Sequence, residues 1–188
     1  MQDEILDFWF GRRDSAEYGK TRELWFKKDA AVDQSIRARF GHAVETALAG
    51  GFVEWRSPRQ RLARVILLDQ FTRNIYRETP RSFGGDVIAL GISRAAVESR
   101  DDEALIAVER WFLYMPFVHA EDLDAQQTAL DLFGKLSVET GLSEPLVWAE
   151  RHVAVIRRFG RFPHRNAILG RPSTAEEIEF LSTAGSSF

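Results

Sequence analysis

Apolar residues recur at intervals of three and four positions along almost the whole chain, which is the spacing of one face of an α-helix. The clearest case is residues 29–49, where a single stripe holds Val32, Ile36, Phe40, Val44 and Leu48. No stretch shows convincingly the strict alternation of apolar and polar residues that is typical of a half-buried β-strand. The pattern therefore predicts an all-α protein.

Turn and capping residues divide this pattern into about eight or nine helices. The predicted spans are residues 3–10, 21–27, 29–49, 58–74, 86–99, 102–115, 122–139, 145–159 and 174–181, with a loop over 79–85. Ser57-Pro58-Arg59-Gln60 is a capping box with proline at the first helical position. Pro116 is expected to end the sixth helix, because proline lacks the backbone donor that a helix needs.

The connections between these helices are short, which favours antiparallel helix pairs. Because no linker or low-complexity segment interrupts the chain, we expect one domain over residues 1–188, with residues 184–188 as a loose tail. Helix pairs of this length are typical of tetratricopeptide-like folds, although the sequence shows no clean repeat of about 34 residues.

Composition narrows the classes of function. The chain has 188 residues and a net charge of −3 with both signs mixed along it, which argues against a nucleic-acid or membrane-surface binder. It has no cysteine, so disulfides, thiolate catalysis and cysteine-based zinc sites are excluded. The acidic N-terminus is unlike a signal peptide, and the apolar run at 111–118 is too short to span a bilayer. We therefore expect a soluble, cytoplasmic protein.

Charged residues on apolar helix faces are the most informative feature. Asp69 and Arg73 share a stripe with apolar residues in the central predicted helix, and their spacing of four positions allows them to pair. Glu109 lies on an apolar face of the helix at 102–115, and Glu150 and Arg157 lie on one in the helix at 145–159. Because a buried charge is costly unless it is paired, we expect these acids to meet arginines.

The loops that follow these helices carry matching polar groups. We expect the central helix, the loop after Pro116 and the turn after the last long helix to meet at one end of the bundle. The candidate ligand-binding residues are Asp69, Arg73, Asn74, Arg77, Glu109, His119, Glu121, Asp122, Arg161, His164, Arg165 and Asn166. Of the other two histidines, His152 is predicted in the core and His42 on the surface.

The turn with the sequence RFGRFPHRN follows the last long helix. Gly160 permits a sharp exit from that helix, and Phe159 and Phe162 are expected to anchor the turn in the core. His164 and Asn166 are expected to hydrogen-bond backbone groups that the helix end leaves unpaired. The turn is therefore predicted to be a structural clasp first and a ligand site second.

Several longer motifs carry a family resemblance: ILDFWFG at 5–11, LDQFTRNIYR at 68–77, PRSF at 80–83 followed by Asp86, ERWFLYMP at 109–116, HAED at 119–122 followed by Gln126, RH at 151–152, RFGRFPHRN at 158–166, LGR at 169–171, ST at 173–174 and EE at 176–177. Over nearly its whole length the chain resembles the bacterial family of unknown function DUF924. The resemblance implies an all-helical, tetratricopeptide-like fold and no established activity. Thr72 and Ala120 depart from the family pattern, which has proline and serine there. Ala120 weakens any mechanism that needs a hydroxyl nucleophile beside His119.

Two classes of function fit these residues. The first is a binding or scaffold module, in which arginine side chains bind a small anionic ligand or a peptide: Arg73, Arg77, Arg161 and Arg165. The alternative explanation is that the same arginines only neutralise buried acids. An excess of buried basic over buried acidic groups in one pocket would favour a ligand.

The second class is a hydrolase. The general base would be His119 or His164, oriented by Glu121, Asp122 or Glu109. A metal-assisted variant would use His119, Asp122, His164 and His152. However, the sequence has no Gly-x-Ser-x-Gly, no phosphate-binding glycine loop and no His-Glu-x-x-His. No metal or cofactor is therefore predicted, and the choice between enzyme and binding protein stays open, as does the oligomeric state.

Overall fold

The computed structural model describes residues 1–183 and 185–186, and this part of the chain contains helices and no β-strand. Its α-helices are α1 Gln2–Phe10, α2 Ala30–Leu48, α3 Pro58–Val65, α4 Thr72–Ile75, α5 Asp86–Glu98, α6 Ala107–His119, α7 Leu123–Thr140, α8 Glu144–Phe159 and α9 Ala175–Leu181. The all-α prediction is confirmed. Within the same part of the chain, no helix is long and apolar enough to cross a membrane.

A π-helical turn, Ile66–Phe71, joins α3 to α4 without a break. The three segments form one continuous helix from Pro58 to Ile75, which we call the central helix. Its π-helical residues are all buried, as expected of a helix that is apolar on nearly every side. α1, α2, α5 and α6 pack around it, α7 packs on α6, and α8 packs on α7. The tetratricopeptide-like arrangement and the single-domain organisation stay predictions.

Local capping signals explain several helix starts. Asp29 accepts a hydrogen bond from the backbone N–H of Ala31 at 2.8 Å and so caps α2. The capping box between Ser57 and Gln60 opens α3. A second box opens α9, where Thr174 and Glu177 bond to each other's backbone N–H.

The predicted end at Pro116 is wrong. α6 runs through Pro116 to His119, and the residues after the proline, Phe117 and Val118, are both buried. Burying two such side chains contributes about 1.5–3 kcal/mol each, which offsets a cost of about 3 kcal/mol for proline inside a helix. The extra turn of helix places His119 beside the π-helical turn of the central helix.

The predicted start of this helix is also wrong. Asp101–Ala104 is a short 3₁₀-helix, and α6 begins only at Ala107. Ile106 is extended, and its N–H donates to Glu109 Oε2 at 3.3 Å. The side chain of Asp102 is buried and accepts a hydrogen bond from the Tyr114 hydroxyl at 2.5 Å, and this contact attaches the 3₁₀-helix to α6.

Three further expectations need adjustment. The helix predicted at 21–27 shrinks to the 3₁₀-helix Glu23–Trp25, and the loop at 79–85 contains the 3₁₀-helix Pro80–Phe83. Of the tail predicted to be loose, residues 184, 187 and 188 lie outside the described part. Ser186 is buried and donates to the carbonyl oxygen of Leu181 at 3.1 Å.

Aromatic side chains fill the centre of the main core. Trp9 packs edge-on against Phe71 and Phe112, with ring centroids 5.6 Å and 5.5 Å apart. Trp25 approaches Phe112 to 4.7 Å. Such edge-to-face pairs add about 0.5–1.5 kcal/mol beyond the area they bury. The central helix therefore packs against a close cluster of aromatic rings, and this packing fixes the positions of the polar residues in its C-terminal half.

Candidate functional site

Asp69 lies in the π-helical turn and is fully buried. Its carboxylate accepts a hydrogen bond from Gln70 Nε2 at 2.6 Å, and Nη1 of Arg73 is 3.3 Å from Asp69 Oδ1. His119, at the end of α6, brings its Nδ1 to 2.7 Å from the same oxygen. π-helical turns are frequent at functional positions. Here the turn holds a carboxylate and an imidazole in direct contact inside the protein.

Asp86, the first residue of α5, contacts this pair through Arg73. The Arg73 guanidinium donates two hydrogen bonds to the Asp86 carboxylate, at 2.8 Å and 3.0 Å. Gly85 makes this approach possible, because a Cβ atom there would lie 2.2 Å from the carbonyl oxygen of Leu68. Asp86 was missed as a candidate, and the only signal for it was its place after the PRSF motif.

Arg165 enters from the turn after α8. Its side chain is 8% exposed. Its guanidinium carbon lies 4.7 Å from the ring centroid of Phe83 and 4.5 Å from that of Phe162. Nη1 is 3.6 Å from Asp86 Oδ2, which is beyond hydrogen-bond distance, and Nε has no hydrogen-bond partner within the described part of the chain. Among the described residues, the buried Arg165 guanidinium therefore lacks hydrogen-bond acceptors for some of its N–H groups.

Two more histidines lie beside these groups. The ring centroids of His119 and His152 are 6.4 Å apart, and Phe162 stands 5.5 Å from His152 and 5.7 Å from His164. His152 is buried, as predicted, and its Nδ1 is 2.8 Å from the carbonyl oxygen of Trp148. We call the following residues the histidine–arginine cluster: Asp69, Arg73, Asp86, His119, His152, His164 and Arg165.

Burial sets the charge state of the histidines. It lowers the pKa of His152 to about 3 and that of His164 to about 4. Burial also lowers the pKa of His119, with Arg73 adding to the effect and Asp69 opposing it. All three imidazoles are therefore neutral at pH 7.

The remaining groups of the cluster stay charged. Burial opposes ionisation of Asp69, but Arg73 and then His119 hold its pKa below the usual range. Burial, followed by the nearby charge of Arg73, lowers the pKa of Arg165 to about 10. The two guanidinium groups, Arg73 and Arg165, are then balanced by the carboxylates of Asp69 and Asp86. The cluster has no excess of positive charge, so any argument for a ligand rests on hydrogen bonding.

The RFGRFPHRN turn is tied down by Glu121. Its carboxylate accepts the backbone N–H of Phe162 at 2.7 Å and two hydrogen bonds from Arg171, at 2.6 Å and 2.9 Å. Phe162 is fully buried, and Gly160 ends α8 with φ of 69°. Arg171 is absent from the sequence-based candidates, and the only signal for it was its place in the LGR motif.

The same turn is fastened to α9. Arg161 donates to both carboxylate oxygens of Glu177, at 2.6 Å and 2.8 Å, and holds the pKa of that residue at about 2. Asn166 Nδ2 donates to Ser173 Oγ at 3.0 Å and lies 3.3 Å from Glu177. The Asn166 side chain thus bonds to other side chains and not, as predicted, to the backbone at the helix end. Glu121, Arg161 and Asn166 form a clasp next to the cluster.

Four candidates lie elsewhere. Asn74 and Arg77 face α2, where all three of their hydrogen bonds to Asp33 measure 2.8 Å. Glu109 pairs with Arg59 of α3 and accepts from the Tyr18 hydroxyl at 2.9 Å.

Asp122 is exposed, caps α7 through the backbone N–H of Ala125, and lies 3.7 Å from Arg94. Glu150 and Arg157, which were expected to be buried, are exposed, and so is His42, as predicted. Side chains on different faces of a helix point in different directions, so these candidates contact other parts of the protein and not the histidine–arginine cluster. Among the described residues, no group of three or more histidines and carboxylates is placed to hold a metal ion.

The geometry defines an all-helical protein with a largely buried cluster of carboxylate, imidazole and guanidinium groups beside the C-terminal half of its central helix. The chain belongs to the bacterial protein family of unknown function DUF924, whose model matches residues 5–185. A solved structure of a protein of unknown function from Agrobacterium tumefaciens is similar, with 38% sequence identity, a TM-score of 0.84 and 96% of each chain covered. No curated protein matches the chain. The family resemblance is confirmed, and the function is unknown.

Proposed function

We propose that the protein binds a small anion at the histidine–arginine cluster, with Arg165 as the anchoring cation. The observation that carries this proposal is the hydrogen bonding of Arg165. Its guanidinium is buried. Among the described residues, the nearest carboxylate oxygen is 3.6 Å away and Nε has no hydrogen-bond partner. Burying an incompletely hydrogen-bonded charge is costly. A carboxylate or phosphate that accepts from this planar group would remove that cost.

Three side chains of the cluster keep part of their surface in solvent. The side chain of His119 is 12% exposed, that of Asp86 18% and that of Arg73 21%. The rings of Phe83 and Phe162 flank the Arg165 guanidinium and orient it. Such limited exposure suits a small anion, or the terminal carboxylate of a peptide, better than an extended surface. The cytoplasmic location predicted from the sequence is kept as part of this proposal.

Isothermal titration calorimetry at pH 7 and low ionic strength tests the proposal. Succinate, inorganic phosphate and a tripeptide with a free carboxyl terminus serve as separate probes, so the carboxylate and phosphate chemistries are distinguished. We expect saturable one-site binding of at least one probe. Arg165→Gln should weaken the binding of that probe at least tenfold. A tenfold change in affinity corresponds to about 1.4 kcal/mol, and a single hydrogen bond to a charged group contributes about 1.5–3 kcal/mol.

Arg39→Gln is the matched control, since Arg39 is an exposed arginine on α2. It should bind the probes as the parent does. If Arg165→Gln is unstable, Arg165→Lys keeps the charge and removes the two-pronged donor geometry. Equal affinity in the parent and the Arg165 variants, or no binding of any probe, would refute the proposal.

A further inference from the structure

We infer that the Asp69–His119 pair gives this anion site a general base, and that the site hydrolyses an ester whose acyl part carries a carboxylate, with water as the nucleophile. The inference rests on the proposed anion binding at Arg165 and adds a reaction to it. Arg165 would hold the substrate carboxylate, and His119 would face the ester bond.

The geometry of the pair is that of an oriented base. His119 Nδ1 is 2.7 Å from Asp69 Oδ1, and an ionised carboxylate can only accept hydrogen bonds. The proton of the neutral imidazole is therefore assigned to Nδ1, which leaves the lone pair on Nε2. Asp69 is itself held by Gln70 and Arg73, so the orienting group is fixed as well. A base with a fixed orienting partner is the arrangement that proton-transfer catalysis needs.

The nucleophile is assigned to water because, among the described residues, no hydroxyl group is hydrogen-bonded to the His119 ring. The sequence has no cysteine, and the residue after His119 is alanine. Two hydroxyl groups on neighbouring segments are engaged, since Thr72 donates to the Leu68 carbonyl and Ser82 to the Thr79 carbonyl, both at 2.7 Å. His119 itself is partly exposed, so water can reach it.

The proposed reaction is balanced without any further reactant. Water attacks the carbonyl carbon of the ester and gives one proton to His119 Nε2, while the carbonyl electron pair moves onto oxygen. The tetrahedral intermediate collapses, the bond to the alcohol oxygen breaks, and the departing alkoxide takes the proton back from His119. The products are a dicarboxylic acid and an alcohol. The lowered pKa of His119 keeps its imidazole neutral at pH 7, so the base needs no prior deprotonation.

The probes are the mono-4-nitrophenyl ester of fumarate, whose trans double bond keeps its free carboxylate from attacking its own ester, and its neutral counterpart, 4-nitrophenyl crotonate. Nitrophenolate release is the readout. We expect the parent to hydrolyse the charged ester at least about 100-fold faster than buffer does, the lower end of what general-base catalysis contributes. The charged ester should have a kcat/KM at least tenfold above that of the neutral one, which lacks a group for Arg165. His119→Gln should reduce hydrolysis to the buffer rate. His42→Gln, a change at an exposed histidine outside the site, should leave it unchanged.

The pH profile separates a catalytic from a merely structural role. Because the pKa of His119 is lowered, kcat/KM should stay constant down to about pH 6.5 and fall only below it. Asp69→Asn removes the carboxylate that orients His119, so it should lower kcat and move this inflection, while KM changes little. The profile is measured on the parent, and it therefore remains a test if His119→Gln fails to fold.

The outcomes distinguish the two proposals. Calorimetric binding of succinate without hydrolysis of either ester would overturn the reaction and leave anion binding standing. Full activity in His119→Gln would also overturn it, as would an inflection at or above pH 7. Hydrolysis that depends on His119 but treats both esters equally, together with no binding of succinate, would overturn the anion site and with it the assigned substrate class.

Discussion

Glu109 illustrates how a single residue inside this bundle depends on partners from distant segments. Its carboxylate is 2% exposed and bonds Arg59, the Tyr18 hydroxyl and the backbone N–H of Ile106. Glu109→Gln keeps the shape but removes the charge that Arg59 and Tyr18 contact. We expect a loss of about 2 kcal/mol in the free energy of unfolding, because hydrogen bonds to a charged group are lost and Arg59 keeps a partly buried charge.

Urea unfolding at pH 7 measures this loss, with Glu150→Gln as the control. Glu150 is exposed, so its replacement should change the free energy of unfolding by less than about 0.5 kcal/mol. Equal effects from the two variants would show that the Glu109 contacts contribute nothing particular to stability.

These two glutamates also show what periodicity can predict for a residue. Both share a helix face with apolar neighbours in the sequence, but only Glu109 is buried. Periodicity identifies a stripe, whereas the packing of other helices decides which flank of the stripe is covered. The partners of buried and partly buried charges follow the same rule. Arg59 is 50 positions from Glu109, Asp86 is 17 positions from Asp69, and Arg171 is 50 positions from Glu121. No local signal in the sequence connects the members of these pairs.

At the scale of elements, the contact between Gly85 and the π-helical turn holds α5 against the central helix. A Cβ atom at position 85 would come within 2.2 Å of a backbone oxygen that cannot move without disturbing the buried turn. Gly85→Ala should therefore lower the free energy of unfolding by about 2 kcal/mol or more, in the range of an overpacked core. Displacement of α5 would also separate Asp86 from Arg73.

Thermal and urea unfolding test this, and Gly91→Ala is the matched control within the same helix. A Cβ at position 91 meets nothing within 4 Å, and alanine is favoured over glycine inside a helix by about 0.5–1 kcal/mol. The control should therefore raise stability slightly. If Gly85→Ala were equally harmless, the close approach to Leu68 would not be a constraint on the fold.

The elements that were predictable from the sequence are those with local causes. Asp29, the Ser57–Gln60 box and the Thr174–Glu177 box each fix a helix start through contacts within four residues. The extension of α6 past Pro116 depends on burying Phe117 and Val118 against other helices, and the π-helical turn lies in a helix buried by four neighbours. These tertiary causes leave no local trace, yet they place His119 beside Asp69. The site was therefore only half predictable: its residue types were visible in the sequence, but the turn that assembles them was not.

At the scale of the whole molecule, the three histidines of the histidine–arginine cluster make stability depend on pH before any carboxylate titrates. The pKa of His152 is lowered to about 3, that of His164 to about 4, and that of His119 also lies below its usual range. Below about pH 6.5 the unfolded chain therefore binds protons at these positions more readily than the folded chain does. The neutral histidines therefore contribute stability that is present above this pH and is lost as the pH falls toward 4.

The carboxylates act in a lower window. The pKa of Glu177 is about 2 in the folded protein against an ordinary 4.5, so its contribution is present above about pH 4.5 and is lost only as the pH falls toward 2.

Between pH 6.5 and 5 the free energy of unfolding should therefore decrease because of the histidines. The decrease should be about 1.4 kcal/mol per pH unit for each proton that the unfolded chain binds and the folded chain does not. Urea unfolding across this window measures the slope. His152→Gln removes one of these histidines, so it should reduce the slope by about 1.4 kcal/mol per pH unit, the contribution of one proton. A free energy of unfolding that stays constant from pH 6.5 to 5 would contradict the prediction, because the folded protein would then take up as many protons as the unfolded chain.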